Sequence, residues 1–93
     1  MHISKTSAKQ IVNEISKLVK QNINLMDETG RIIASCDKDR IGQFHEGAYK
    51  IITEKLDEYY ITDDLATDTA KKGLNLPLEL EGEIVGVVGI TGS

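Results

Sequence analysis

Along residues 7–20 the apolar positions Ala8, Ile11, Val12, Ile15, Leu18 and Val19 recur three and four apart, the spacing of one helix face. The pattern predicts an amphipathic opening helix, with Ser7 and Gln10 placed as a capping box. Residues 22–27 and 31–36 then read as two short strands joined by Asp27-Glu28-Thr29-Gly30, where Gly30 can adopt the left-handed conformation that a hairpin needs. Ala48, Ile51, Ile52 and Leu56 mark a second helical face over residues 45–57, and residues 59–62 add a short strand. Residues 63–72 mix Asp, Thr, Ala and Lys without periodicity and read as a loop with one helical turn at most.

A second hairpin is predicted for residues 74–80 and 83–91, turning at Glu81-Gly82. Pro77 cannot donate to a ladder, so the first of these strands is expected at an edge or locally interrupted. In the last strand Ile84, Val85, Val87, Val88 and Ile90 are apolar on both faces, which predicts a central position. Gly86 and Gly89 lie three apart and therefore open opposite faces. Gly86 is expected to admit a helix with Ile84, Val88 and Ile90, and Gly89 to share a face with Val85, Val87 and Thr91. Helix, hairpin, helix, hairpin make an α+β domain with an antiparallel sheet.

Length and charge narrow the function classes. With 93 residues the chain is one module with one core. A formal charge of −4, with acids and bases interspersed, lacks the basic stripe that displaces counterions from phosphates, so direct nucleic-acid binding by this segment is not expected. No apolar run approaches the roughly 20 residues of a membrane span. The start shows no basic stretch followed by an apolar block, and the lone Cys36 gives no disulfide framework, so a reducing cytoplasm is the expected location. Because a core-type strand runs almost to the last residue, a fragment of something longer is expected.

The densest chemistry lies in residues 35–48. Arg40 can grip a carboxylate with two parallel hydrogen bonds, in a planar fork that Lys cannot copy. Its other reading is a surface arginine paired with Asp37 or Asp39. Gly42 and Gly47 either expose amides to an anion or serve as a turn and a tight helix contact. His45 either donates to a ligand or caps the second helix. Asn75, between Gly73 and a predicted edge strand, can read a ligand hydroxyl or satisfy local backbone. Ser35, Asn24 and Thr91 alternate with apolar neighbours and could line a pocket wall. No metal or cofactor is expected, because His2, His45 and Cys36 lack ligand spacing. The acids Glu79, Glu81, Glu83, Asp63 and Asp64 read as solvated surface, and nothing orients His45 toward Cys36, so no catalytic residue is expected.

Residues 22–48, NINLMDETGRIIASCDKDRIGQFHEGA, resemble the N-terminal sensor of the carbohydrate (sugar) diacid regulators. Residues 73–92, GLNLPLELEGEIVGVVGITG, resemble that family's second block, and the opening helix also fits. The resemblance implies a cytoplasmic PAS-like or Cache-like domain of a bacterial transcription factor, an antiparallel sheet with helices packed on one face and the pocket between them. It implies a ligand-sensing domain for a sugar diacid or related hydroxy acid of the glucarate, galactarate or glycerate type, with DNA contacted by a separate C-terminal helix-turn-helix. Arg40, Ile41, Gly42, His45 and Gly47 form the implied ligand-binding segment, joined by Asn75 and Ser35. A homodimer is compatible with it. Two departures stand out: the helical segment after the second block and the DNA-binding part are missing, and Cys36 stands where the family more usually has Gly or Ala. A dimerisation scaffold without ligand is the alternative, and a small hydroxy-acid enzyme ranks last.

Overall fold

Helix α1 spans Lys5–Val19 in the computed structural model, which describes residues 3–67 and 70–91. His2, weighed above as a metal ligand, Gly92 of the second family block, and part of the predicted loop at Asp68 and Thr69 lie outside the described residues. The helix begins earlier than its apolar period. Ser4 is the cap, its hydroxyl accepting the Ser7 amide at 3.1 Å, so Ser7 sits within the first turn and the expected Ser7–Gln10 box is displaced. Ala8 and Val12 are buried from this helix.

Strands β1 (Asn22–Asp27) and β2 (Ile32–Ser35) form the first hairpin. Asp27 organises its turn, its Oδ1 accepting the Thr29 amide at 2.8 Å and the Arg31 amide at 3.1 Å, while Gly30 takes φ +91° as expected. A 3₁₀ turn at Lys38–Arg40 follows, capped by Asp37. Helix α2 (Glu46–Glu54) is capped by His45 and is shorter than its apolar pattern, because the chain leaves the helix at Lys55. Strand β3 (Tyr59–Ile61), a loop, and the hairpin β4 (Gly73–Leu80) and β5 (Glu83–Thr91) complete the fold. Glu81 and Gly82 both have positive φ, the conformation that tight two-residue hairpins favour.

Both helices end on a lysine in the left-handed region, Lys20 at φ 52° and Lys55 at φ 54°. A Cβ there costs roughly 1–2 kcal/mol, part of which glycine's larger unfolded-state entropy offsets. Lys55→Gly is therefore expected to stabilise the domain by about 0.5–1 kcal/mol. Urea melts of the two proteins check this, and a loss of stability would count against it.

The five strands pair antiparallel in the order β2-β1-β5-β4-β3. Strand β5 is central, as its two-sided apolarity predicts. β4 lies between β5 and β3 and is not an edge strand along its first part. Pro77, however, pairs with Val87 of β5 beyond the reach of β3, which pairs only with Gly73, Leu74 and Asn75, so the strand is an edge at the proline itself.

The helices do not share a face, contrary to the expectation of a one-sided cover. Ile23, Leu25, Ala34 and Val88 pack with Ala8 and Val12 of α1. Met26, Ile32 and Val87 pack with Ala48 and Ile51 of α2. Leu25 and Met26, like Val88 and Val87, are strand neighbours and point to opposite sides, so each helix covers its own face. A sheet apolar on both faces requires this. A register shift at Leu78/Glu79 also moves Ile84 to the face of Val87, not that of Val88 and Ile90. Gly86 does open toward the α1 side, where a Cβ would stand 3.2 Å from Ile3 Cδ1. Gly89 opens toward Asn75 and Asn24 on the other. Among the described residues no helix is long and apolar enough to cross a membrane.

Candidate ligand-binding site

Polar side chains gather where the sheet escapes its helical cover. At the start of β1, Asn22 and Asn24 share the face of Met26, and Thr91 is paired with both Asn22 and Gly73. Helix α2 covers Met26 and Val87 farther along. The uncovered end is walled by the 3₁₀ turn on one side and the loop after β3 on the other, leaving a cavity of about 530 Å³. Asn22, Asn24 and Thr91 line it from the strands. Asp37 and Arg40 line it from the 3₁₀ turn, and Asp63, Ala66, Lys71 and Lys72 from the loop. That volume suits a small metabolite.

The strand side is ordered by hydrogen bonds. Ser35 Oγ donates to Asn24 Oδ1 at 2.5 Å and accepts the Asp37 amide at 3.0 Å. Asn24 Nδ2 reaches Thr91 Oγ1 at 3.4 Å, a long contact that leaves this amide able to serve a second acceptor. Asn24 is only 2 % exposed, so its orientation is held by these partners. Lys72 Nζ lies 3.8 Å from Asp63 Oδ2 at the rim.

Arg40 is buried to 8 % exposure. Burial lowers its pKa below the ordinary arginine value and neighbouring Asp37 works the other way, but a guanidinium stays charged at any physiological pH. Beyond the 3₁₀ turn, His45 is 3 % exposed and its Nδ1 accepts the Ala48 amide at 3.0 Å. Burial first, and the charge of Arg40 second, push its pKa down to about 4, with Glu46 opposing. The ring is therefore neutral at pH 7 with its proton on Nε2.

The residues expected to act together do not form one cluster. Arg40 stands in the cavity wall, and Ser35 orients Asn24 behind it. His45, Gly47 and Asn75 meet beside it: a Cβ on Gly47 would stand 3.1 Å from His45 Cε1 and 3.4 Å from Asn75 Nδ2, which itself donates to the Tyr59 carbonyl at 3.3 Å. Gly42 forms a turn at φ +94°, its amide donated to the Ile32 carbonyl at 2.7 Å. Ile41 is exposed and lines a different cavity, beside α1. Lys71 and Lys72 carried no periodic signal, and only the pairing of Gly73 with Thr91 brings them to the site.

Residues 3–93 match the family model described as "Putative sugar diacid recognition". The chain belongs to this family. It is 44 % identical over 93 residues to the carbohydrate diacid regulator of Escherichia coli K12, covering 98 % of this chain and 24 % of that protein. An uncharacterized Haemophilus influenzae protein is 38 % identical, over 99 % of this chain and 26 % of its own length. YsfB, an uncharacterized protein of Bacillus subtilis 168, is 32 % identical, over 99 % and 25 %. The chain thus spans about a quarter of the length of the curated relatives it matches. In three dimensions it is similar to the sensor domain of the Vibrio cholerae histidine kinase DctB, with a TM-score of 0.63, 19 % identity, and coverage of 92 % of this chain and 36 % of that one. That likeness is one of fold alone, the Cache-like α+β architecture that the resemblance implied.

The cavity lining combines a buried cation, the acids Asp37 and Asp63, side-chain amides and a hydroxyl. A buried guanidinium favours a carboxylate, and side-chain amides with a hydroxyl match alternating donors and acceptors.

Proposed function

We propose that this domain senses a small polyhydroxy carboxylate, a sugar diacid of the glucarate or galactarate type or a hydroxy acid such as glycerate, as the ligand-sensing part of a longer transcriptional regulator. The observation that carries the reading is the buried Arg40 guanidinium in the wall of a polar cavity also lined by Asn24 and Thr91. A carboxylate would lie against Arg40, while Asn24, Thr91 and Asn22 read hydroxyls, and Lys71 or Lys72 takes a second carboxylate where there is one. His45, Gly47 and Asn75 fix α2 against the sheet behind these contacts.

The ligand is bound and released without turnover. It changes the output only as far as it prefers one arrangement of the domain over another. The greater length of the relatives supports an output module elsewhere in the protein. The proposal adds that this module contacts DNA, in the cytoplasm and as a homodimer.

A panel of these acids is expected to raise the melting temperature. At ten times its dissociation constant a ligand adds about 1.4 kcal/mol, which is about 6–11 °C for a domain of this size. A folded sample that shifts with none of them at millimolar concentration would overturn the reading. Arg40→Lys is expected to weaken binding nearly as much as Arg40→Ala, since the planar fork and not charge alone is required. Calorimetric titration measures this, and unchanged affinity in the lysine variant would remove Arg40 from the ligand's contacts.

A further inference from the structure

On the face of the sheet opposite the first cavity, α1 and the edge strand β2 leave a second cavity of about 480 Å³. Its floor is apolar, made by Val12 of α1, Ile33 and Ala34 of β2, and Ile41 beyond the 3₁₀ turn. Its rim carries Lys5, Lys9 and Lys38, and no acidic residue lines it among the described residues. None of these three lysine side chains forms an ion pair among the described residues, whereas Lys17 of the same helix has Glu14 at 3.4 Å.

The placement runs against local electrostatics. The first turn of α1 holds no acid, and Lys5 and Lys9 add positive charge at the end of the helix where the backbone dipole is already positive. A like-signed cluster in a chain of formal charge −4 is a local cost that an anion above the floor would offset. The volume lies within the range of small-molecule sites and the lining combines an apolar bed with charge of one sign.

We infer that the cavity between α1 and β2 binds an amphipathic organic anion, an apolar chain or ring bearing a single carboxylate, its apolar part on Val12, Ile33, Ala34 and Ile41 and its carboxylate among Lys5, Lys9 and Lys38. The site is separate from the polyhydroxy-acid cavity in chemistry as well as position. The first is lined by side-chain amides, a buried guanidinium, acids and lysines, with Ala66 as its one apolar residue. The second has exposed ammonium groups above an apolar floor, and so selects for a tail that a sugar acid lacks. One contact joins them: Ser35 lines the second cavity while its hydroxyl holds Asn24, which lines the first. The 3₁₀ turn is likewise shared, with Arg40 on one side and Lys38 on the other.

Octanoate is the probe, with acetate and octan-1-ol as controls, followed by two-dimensional amide NMR of the intact 93-residue chain. Octanoate is expected to shift the amides of Lys9, Val12, Ala34, Cys36 and Ile41 saturably in the sub-millimolar range, and acetate and octan-1-ol to bind at least tenfold more weakly. Lys9→Glu with Lys38→Glu is expected to weaken octanoate at least tenfold with the spectrum otherwise unchanged. Ile41→Asp, on an exposed side chain, checks the floor in the same way. Shifts centred on Asn22 and Thr91, equal binding of octan-1-ol, affinity untouched by the charge reversals, or no binding by octanoate would each overturn the inference. Failure of the hydroxy-acid panel alongside binding of octanoate here would sink the sensing proposal and leave this one standing.

Discussion

Acidification from pH 7 to pH 5 is expected to lower the melting temperature by about 8–16 °C, mainly through His45. The folded ring resists protonation until about pH 4, because burial and then the charge of Arg40 disfavour the imidazolium, against an ordinary value of 6.5 in the unfolded chain. Between those values the unfolded state holds a proton that the folded state lacks, so stability rises with pH. The contribution is present in full above pH 6.5, is reduced by about 2 kcal/mol at pH 5, and falls no further once pH drops below about 4. Protonation would also remove the acceptor that caps α2, since Nδ1 takes the Ala48 amide. His45→Asn keeps a capping acceptor without a titrating ring, so its melting temperature is expected to be nearly flat between pH 6.5 and pH 5. Arg40→Met removes one of the two causes and is expected to reduce the slope without abolishing it. Thermal melts of the three proteins across this range decide the matter, and a wild-type curve as flat as that of His45→Asn would show that His45 titrates normally.

Much of this fold was legible because each strand and helix carries its own period. β1 and β5 ran as predicted, and Gly30 and Glu81-Gly82 turn where turn chemistry puts them. What failed was local detail governed by single polar groups. α1 starts at Lys5 because the Ser4 hydroxyl is available to its first amides, a choice that the apolar spacing beginning at Ala8 does not register. The two-sided helical cover was already implied by β5, whose apolar residues on both faces need burial on both sides.

At the site, proximity in sequence proved a poor guide to direction. Ser35, Arg40 and Ile41 are close along the chain, yet the 3₁₀ turn sends Arg40 into one cavity and leaves Ile41 beside another, with Ser35 reaching the first only through Asn24. Asn24 and Thr91 were legible as polar positions alternating on strands. Lys71 and Lys72 were not, since their place follows from strand pairing between distant segments and no local pattern encodes that.

Gly73→Ala is expected to destabilise the domain by about 3–5 kcal/mol, enough to unfold most of a chain whose total stability is on the order of 5–14 kcal/mol when the assay temperature is raised modestly. An added Cβ would stand 2.9 Å from Thr91 Cα and closer still to the Ile90 carbonyl oxygen, and both belong to the backbone of the central strand. Neither can swing aside as a side-chain tip would. The residue also has φ +156°, at the limit of what a side chain tolerates. Gly82→Ala separates the two effects: Gly82 has φ +81° with nothing within 4 Å of its Cβ position, so it bears conformational strain alone, about 1–2 kcal/mol. Denaturant midpoints should therefore fall far more for the first variant than for the second. Equal losses would mean that backbone conformation, and not the close approach of β4 to β5, explains glycine at position 73. The distinction bears on the site, because the same approach pairs Gly73 with Thr91 and so brings Lys72, next along the chain, to the cavity rim.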